Sequence, residues 1–368
     1  MGINLNYFLL EMKMNNYIQI AGRKIGANYP PYVIAELSAN HNGDIETAFE
    51  IMKMAKDAGA DAIKLQTYTP DTITLKCDRE DFKIRGGLWA GRTLYELYQD
   101  AHTPWDWHKP LFEKAKELGI TIFSSPFDPT AVDLLEELDT PAYKIASFEI
   151  VDLALIKLVA ATGKPMIIST GMANEQEIEE AIETARKNGC EDLVLLHCVS
   201  GYPTPADQYN LRTIGDLSSR FNVLSGLSDH TIDNATTVAA IGLGACLVEK
   251  HVTLDRQGGG PDDSFSVEPK ELYQLCRDVK TAWQAIGKVS YQRAESEKDN
   301  VKFRRSLYFT ENLEAGVILT SDHVRSIRPG FGLPPKYLPD VLGKILLEDV
   351  SYGSPVRVEH VGLTLTGK

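Results

Sequence analysis

From Val33 onward, short apolar runs rich in β-branched residues alternate with longer segments of 3.6-residue period, the pattern of repeated βα units that build a parallel sheet. Strands are predicted at 33–37, 62–67, 121–126, 142–147, 165–170, 193–198, 223–228 and 246–251, and helices at 45–59, 105–119, 129–138, 152–162, 174–189, 210–220, 233–243 and 268–287. Gly59, Gly119, Gly163 and Gly189 fall where helix ends favour a left-handed cap. Eight units over about 250 residues predict an α/β fold, a (β/α)8 TIM barrel rather than a doubly wound open sheet. No Gly-x-Gly-x-x-Gly follows the first strand, which removes the obvious dinucleotide reading.

Two stretches break the alternation. Residues 68–103 are far longer than an ordinary βα loop and carry Gly86-Gly87-Leu88-Trp89 and Leu94-Tyr95-Glu96-Leu97-Tyr98, so they are expected to cover a substrate or meet a partner. Beyond the barrel (17–290), the polar segment 291–302 reads as a linker. Residues 303–368 then form a small module with strand-like pieces at 306–310, 317–319, 324–327 and 355–358. A module of this size has a thin core, and docking on the barrel or on another subunit is expected to support it. Residues 1–16 read as an extension whose apolar run stops at Glu11, short of a signal-peptide core.

Charge narrows the partners. With 38 Lys+Arg against 51 Asp+Glu, the formal net charge of -13 disfavours nucleic acid and anionic membranes, so an anionic substrate must find a local basic cluster. No segment approaches the roughly 20 apolar residues of a membrane span. The five cysteines, without a Cys-x-x-Cys pair, fit reduced thiols in a cytoplasmic protein.

A parallel barrel does its chemistry where its strands end. The polar residues predicted there are Glu36 and Asn40, Lys64 and Gln66, Ser124 and Ser125, Lys144, Ser147 and Glu149, Ser169 and Thr170, His197 and Ser200, Ser228, Asp229 and His230, and Glu249, Lys250 and His251. His230 and His251 end consecutive strands, and neutral imidazole is the commonest protein ligand for a divalent ion. Such a pair suits manganese, zinc or another divalent metal. Lys64 and Lys144, each flanked by apolar neighbours, face either the barrel interior or the helices. On the same side as Ser125, Ser147 and Ser169 they would supply the charge and hydroxyls that phosphate and carboxylate demand. Glu36 and Glu149 are candidates for proton transfer, or for a strand-end charge and a helix cap. Tyr202, and Asp262 on the glycine-rich run after His251, are open between ligand contact and loop packing.

Taken in order, Ile-Ala-Glu-Leu-Ser-Ala-Asn-His-Asn-Gly (34–43), Ala-Ile-Lys-Leu-Gln-Thr-Tyr (62–68), Tyr-Lys-Ile-Ala-Ser (143–147), Ile-Ser-Thr-Gly-Met-Ala (168–173), Gly-Leu-Ser-Asp-His-Thr (226–231) and Glu-Lys-His-Val-Thr-Leu-Asp (249–255) resemble the sialic acid (nonulosonate) synthases. Arg304-Arg-Ser-Leu-Tyr and Arg328-Pro-Gly-Phe-Gly-Leu resemble that family's antifreeze-like (SAF) domain. The 83–108 segment and residues 326–336 lean toward the family's pseudaminate branch. The resemblance implies condensation of phosphoenolpyruvate with the open-chain aldehyde of an acetamido sugar, and release of phosphate. It implies a metal, manganese or a similar ion, on His230 and His251. Lys64, Ser125, Lys144, Ser147, Ser169 and Ser228 are implied to bind substrate, with phosphoenolpyruvate falling to Lys64, Lys144, Ser147 and Ser169. Glu36, Glu149, Tyr202 and Asp262 are implied at the sugar or in proton transfer, and Arg328 in the site of a neighbouring subunit of a domain-swapped homodimer. Position 200 carries Ser where sialic acid synthases have Asn, which bears on sugar contacts rather than on the chemistry. A metal-dependent aldolase using pyruvate, and a glycan-binding protein without catalysis, are the competing readings.

Overall fold

The computed structural model describes residues 17–364; the extension expected at 1–16 and residues 365–368 lie outside the described residues. The chain divides into two compact units, the first ending at Gly287 and the second beginning at Lys288. In the first, a short antiparallel hairpin of β1 (Ile18–Ile20) and β2 (Arg23–Ile25) precedes the barrel. Eight parallel strands follow: β3 (Tyr32–Glu36), β4 (Ala62–Thr67), β5 (Thr121–Pro126), β6 (Tyr143–Ile145), β7 (Met166–Ser169), β8 (Leu193–Cys198), β9 (Leu224–Asp229) and β10 (Leu247–His251). Each pairs with the next and β10 pairs with β3, closing the barrel.

Side-chain parity sets what faces inward. Val33, Ala35, Ile63, Leu65, Leu227 and Val248 pack outward in the core shared with the helices. Tyr32, Ile34, Ala62, Phe123, Ile167, Val194, Leu196 and Leu247 fill the barrel's interior together with Ile18, Ile20 and Ile25 of the hairpin. The hairpin therefore plugs the N-terminal end and leaves the C-terminal end for polar groups. Its strands are three residues each, too short to show a period. In β9 the chain can carry no side chain at Gly226: a Cβ there would strike the Leu247 carbonyl and lie 2.7 Å from Leu196 Cδ2.

The helices start on side-chain caps. Asp44, Asp128, Asp152 and Asn174 each accept a first-turn backbone N–H. Two of the predicted elements that come out shorter have a local reason. The strand at 142–147 stops at Ile145, because Ser147–Glu149 turn into a 3₁₀ coil that lifts both side chains onto the rim. The helix at 105–119 begins at His108, after a 3₁₀ turn at Trp105–Trp107.

The long segment 68–103 is structured. It holds helices Pro70–Ile73 and Leu94–Ala101, and a tight loop in which Ile84 N donates to Arg92 O and Gly91 N to Ile84 O, both at 2.9 Å.

In the second unit, most of the segment expected as a linker winds into a 3₁₀ helix, Glu295–Phe303. Strands β11 (Ser306–Phe309) and β12 (Val324–Ile327) pair antiparallel around a core of Leu307, Phe309, Leu319, Val324, Val341, Leu346 and Val356. The pieces predicted at 317–319 and 355–358 make only single bridges, Ile318 to Ile345 and Tyr308 to Pro355, and Val358–Val361 is helical. Closely spaced turns leave no room for longer ladders there.

Candidate active site

Parity decides the two lysines. Ile63 and Leu65 face the helices, so Lys64 points into the barrel, where its Nζ lies 2.6 Å from Glu36 Oε2 and 3.7 Å from Glu249 Oε1 and donates to Ser125 Oγ at 3.3 Å. Lys144 Nζ donates to the same Glu249 Oε1 at 3.3 Å, and Ser228 Oγ at 3.4 Å. Glu249 is therefore the carboxylate on which both lysines converge. It alternates with outward-facing Lys250 and shares its side of the strand with His251, the one signal in the sequence that could have singled it out.

These groups are almost wholly removed from solvent. Burial acts first to lower the pKa of Lys64, and the carboxylates of Glu249 and Glu36 more than reverse it. Lys144 is lowered, by burial above all. Glu249 goes below its ordinary value because the two lysines outweigh its own burial, whereas burial pushes Glu36 up against Lys64. Burial also pushes Glu149, on the turn after β6, to about 7 against the pull of Lys144. Glu149 Oε2, Glu249 Oε2, Ser169 Oγ and Ser200 Oγ are buried without a hydrogen-bond partner. Ser147, Ser200 and Gly171 crowd together: a Cβ on Gly171 would strike Ser200 Oγ and lie 2.6 Å from Ser147 Oγ. Unsatisfied buried oxygens are costly, so this wall has hydrogen-bonding capacity to give a polar ligand.

The histidines are adjacent, their ring centroids 5.5 Å apart. His230 Nδ1 meets the Val199 carbonyl at 2.9 Å, so in the neutral ring the proton sits on Nδ1 and the Nε2 lone pair is free. Burial first, and then the charge of His230 and nearby lysines, holds the His251 pKa far below normal and keeps it neutral. His251 Nδ1 has no hydrogen-bond partner and lies 3.7 Å from Asp262 Oδ2. Among the described residues no group of three His, Cys, Asp or Glu is placed to enclose a metal ion. Burial lowers the His230 pKa, but the Cys198 thiol and the Val199 carbonyl more than reverse it. Once His230 gives up its proton, two imidazoles with an acid beside them fit an open catalytic ion, whose other positions water and substrate would fill, rather than a closed structural one.

A polar arc connects this pair with Glu36: Gln66 Nε2 donates to Glu36 Oε1 and Ser38 Oγ, each at 3.0 Å, and Ser38 Oγ donates to Asp262 Oδ2. The glycine-rich run before Asp262 is pinned rather than loose. Asp263 is buried, its Oδ2 accepting from Gly260 N at 2.8 Å and from Asn42 Nδ2 at 3.1 Å. The Tyr202 ring lies 4.5 Å from that of His230 and 5.2 Å from that of Phe265. Cys198, which the sequence offers only as a buried thiol, sits between Ser147 Oγ at 3.3 Å and His230 Nδ1 at 4.0 Å.

Other strand-end residues are structural. Lys250 and Asp229 pair outward at 2.8 Å. His197 bonds the Tyr209 carbonyl, and Asn40 bonds Val252 O and Ser266 Oγ. Ser124 is hydrogen-bonded to Thr67 at 2.6 Å. Arg328 is an exposed residue of the second unit, directly after β12.

A NeuB family model matches residues 51–291 and a SAF domain model residues 304–361. The chain is 44% identical over 326 residues to the pseudaminic acid synthase of Campylobacter jejuni, covering 89% of this chain and 95% of that one. It is 35% identical over 329 residues to the N,N'-diacetyllegionaminic acid synthase of the same species, covering 88% and 98%. The crystal structure of N-acetylneuraminic acid synthetase from Leptospira borgpetersenii, in complex with citrate, superposes with a TM-score of 0.69 at 31% identity, over 78% of this chain and 96% of that one. With the barrel, its buried lysine and serine wall and the terminal SAF domain in place, the chain belongs to the NeuB family of phosphoenolpyruvate-dependent, carbon–carbon bond-forming nonulosonate synthases.

Proposed function

We propose that the enzyme condenses phosphoenolpyruvate with the open-chain aldehyde of 2,4-diacetamido-2,4,6-trideoxy-L-altrose and water, giving pseudaminic acid and phosphate. The observation that carries this reading is the convergence of Lys64 and Lys144 on Glu249 in the same buried mouth as the His230 and His251 pair. The choice of sugar is supported by the higher identity to the pseudaminate enzyme.

Carbon 3 of the enolpyruvate bonds to the aldehyde carbon, the aldehyde oxygen takes up a proton, water adds at carbon 2, and phosphate departs by C–O cleavage. Lys64 and Lys144, with Ser125, Ser147, Ser169 and Ser228, hold the carboxylate and phosphate, and Glu249 keeps both ammonium groups aimed at them. Donors fixed before the reaction need no reorganisation during it. Glu149, poised to gain or lose a proton near neutrality, and Glu36 serve proton transfer. Tyr202, Ser200 and Asp262 meet the sugar. A divalent ion, manganese in this reading, would be held by His230 and His251 and would supply Lewis-acid polarisation of the aldehyde. Arg328 completes the site from a second copy in a domain-swapped homodimer. The five free thiols fit a cytoplasmic setting, and no helix among the described residues is long and apolar enough to cross a membrane.

Phosphate release, measured with phosphoenolpyruvate and a panel of acetamido hexoses, tests the reading. The diacetamido trideoxy sugar is expected to give the highest kcat/KM, and chelation to abolish turnover until manganese is restored. Preference for the legionaminate precursor or N-acetylmannosamine would reassign the product, turnover of pyruvate without phosphate release would make the enzyme an aldolase, and full activity after chelation would remove the metal. Mixing Arg328→Ala with His230→Ala subunits should restore some activity; verified heterodimers without recovery would overturn the swap.

A further inference from the structure

We infer that Trp89 is a specificity-determining residue that acts on the end of the acceptor sugar remote from the reacting aldehyde, through its contacts with Tyr202 and with the Pro261 carbonyl beside Asp262. This rests on the reading of the site as one for an acetamido sugar.

Trp89 rides near the tip of the loop tied off by Ile84 and Arg92. Its indole Nε1 donates to the Pro261 carbonyl at 3.0 Å, and its ring lies 5.9 Å from that of Tyr202. Because Tyr202 lies against His230, the indole is the outer of two aromatic layers above the histidine pair. The anchor is rigid: Pro261 lies between Gly260, held by Asp263, and Asp262, held by Ser38. A Cβ at Gly260 would strike Asn42 Oδ1, so the loop and the Asn42 side chain are fitted to each other. The hydrogen bond therefore fastens the inserted loop to a fixed partner and sets where the indole stands.

An acetamido group presents a methyl and a planar amide, and a 6-deoxy carbon presents a second methyl. Both need apolar surface beside hydrogen-bonding groups, which the indole and the Tyr202 ring together offer. A rigid indole supplies large contact area with little rotamer entropy to lose. The contacts of Trp89 run to Tyr202 and to the Pro261 carbonyl, on the acceptor's side, and not to either lysine or to Ser125, Ser147 or Ser169. Trp89 should therefore affect the acceptor and not the donor.

The test compares wild type with Trp89→Leu, which removes the ring but keeps apolar bulk, and Trp89→Phe, which keeps a ring but removes the N–H. Phosphate release is followed with each substrate varied in turn, and thermal melts check folding. Trp89→Leu is expected to raise the acceptor KM about 10-fold or more while the phosphoenolpyruvate KM stays within about 2-fold, and to cut the kcat/KM preference for the diacetamido 6-deoxy sugar over a monoacetamido 6-hydroxy hexose by about 10-fold. Trp89→Phe should raise the acceptor KM less and retain most of the preference. Parallel changes in both KM values, or an unchanged preference in folded Trp89→Leu, would overturn the assignment. If the wild-type enzyme turns over another acetamido hexose instead, the proposed product fails, while the split between acceptor and donor KM still decides the role of Trp89.

Discussion

Two clusters of buried lysine and carboxylate lie at the same rim of the barrel, and they differ in how fully their polar atoms are used. Outside the strands, Lys250 Nζ donates to Asp229 Oδ2 at 2.8 Å, Thr231 O at 2.7 Å and Asp233 O at 2.9 Å, while Asp229 also accepts from Thr231 and Thr237. Inside, Glu249 shares one oxygen among two lysines and Ser228, and its other oxygen has no partner. The outer cluster is saturated and leaves nothing for a ligand. The inner one holds two cations against carboxylates with hydroxyls left over, and so retains binding capacity. Both combine lysine, carboxylate and hydroxyl groups, and saturation separates scaffold from site.

The largest effect that bears on this contrast is on stability. Lys250→Met strands the buried Asp229 charge and should cost about 3–5 kcal/mol in urea denaturation, while the folded fraction keeps its KM for phosphoenolpyruvate. A stable variant with impaired substrate binding would put Lys250 in the site and break the comparison. Lys144→Met should do the reverse, lowering kcat/KM for phosphoenolpyruvate by about 100- to 1,000-fold with a smaller shift of the urea midpoint, since Glu249 keeps Lys64. Unchanged turnover would mean that the inner cluster, too, is scaffold.

The smallest effect sharpens the role of Glu149. Its pKa is raised to about 7 chiefly by burial, so between the ordinary glutamate range and pH 7 the folded state binds more protons than the unfolded one. Stability therefore falls as pH rises through that window. Glu149→Gln should remove this fall, gaining up to about 3 kcal/mol above pH 7 and little near pH 4. The inflexion near pH 7 in kcat/KM should vanish with it. An inflexion that persists in the variant would assign the titration to another group, such as Glu36.

Most of the barrel was legible along the chain because each buried strand is an apolar run bounded by turn residues, and each helix repeats its apolar face. The hairpin at 18–25 was not, since strands of three residues carry no period and are held by burial in the barrel floor. At the site, His230 and His251 were legible from their matching positions at consecutive strand ends. Glu249 stood in the strand of His251 and Cys198 at the end of β8, but which lysine and which carboxylate meet depends on barrel closure, with Lys144 and Glu249 105 residues apart in sequence. His197, Asn40 and Lys250 looked equally chemical and proved to be bonded to backbone carbonyls, with Ser266 and Asp229 as the further side-chain partners of Asn40 and Lys250.

The linear pattern thus determines the eight βα units, the terminal module, and which residue types arrive at the rim, because period and turn chemistry are local properties of the chain. Parity around the closed barrel, the sharing of Glu249 by two lysines, and the position of Trp89 against Pro261 are decided only when distant segments pack. They depend on which side of a strand each residue occupies and on which neighbour has already satisfied it.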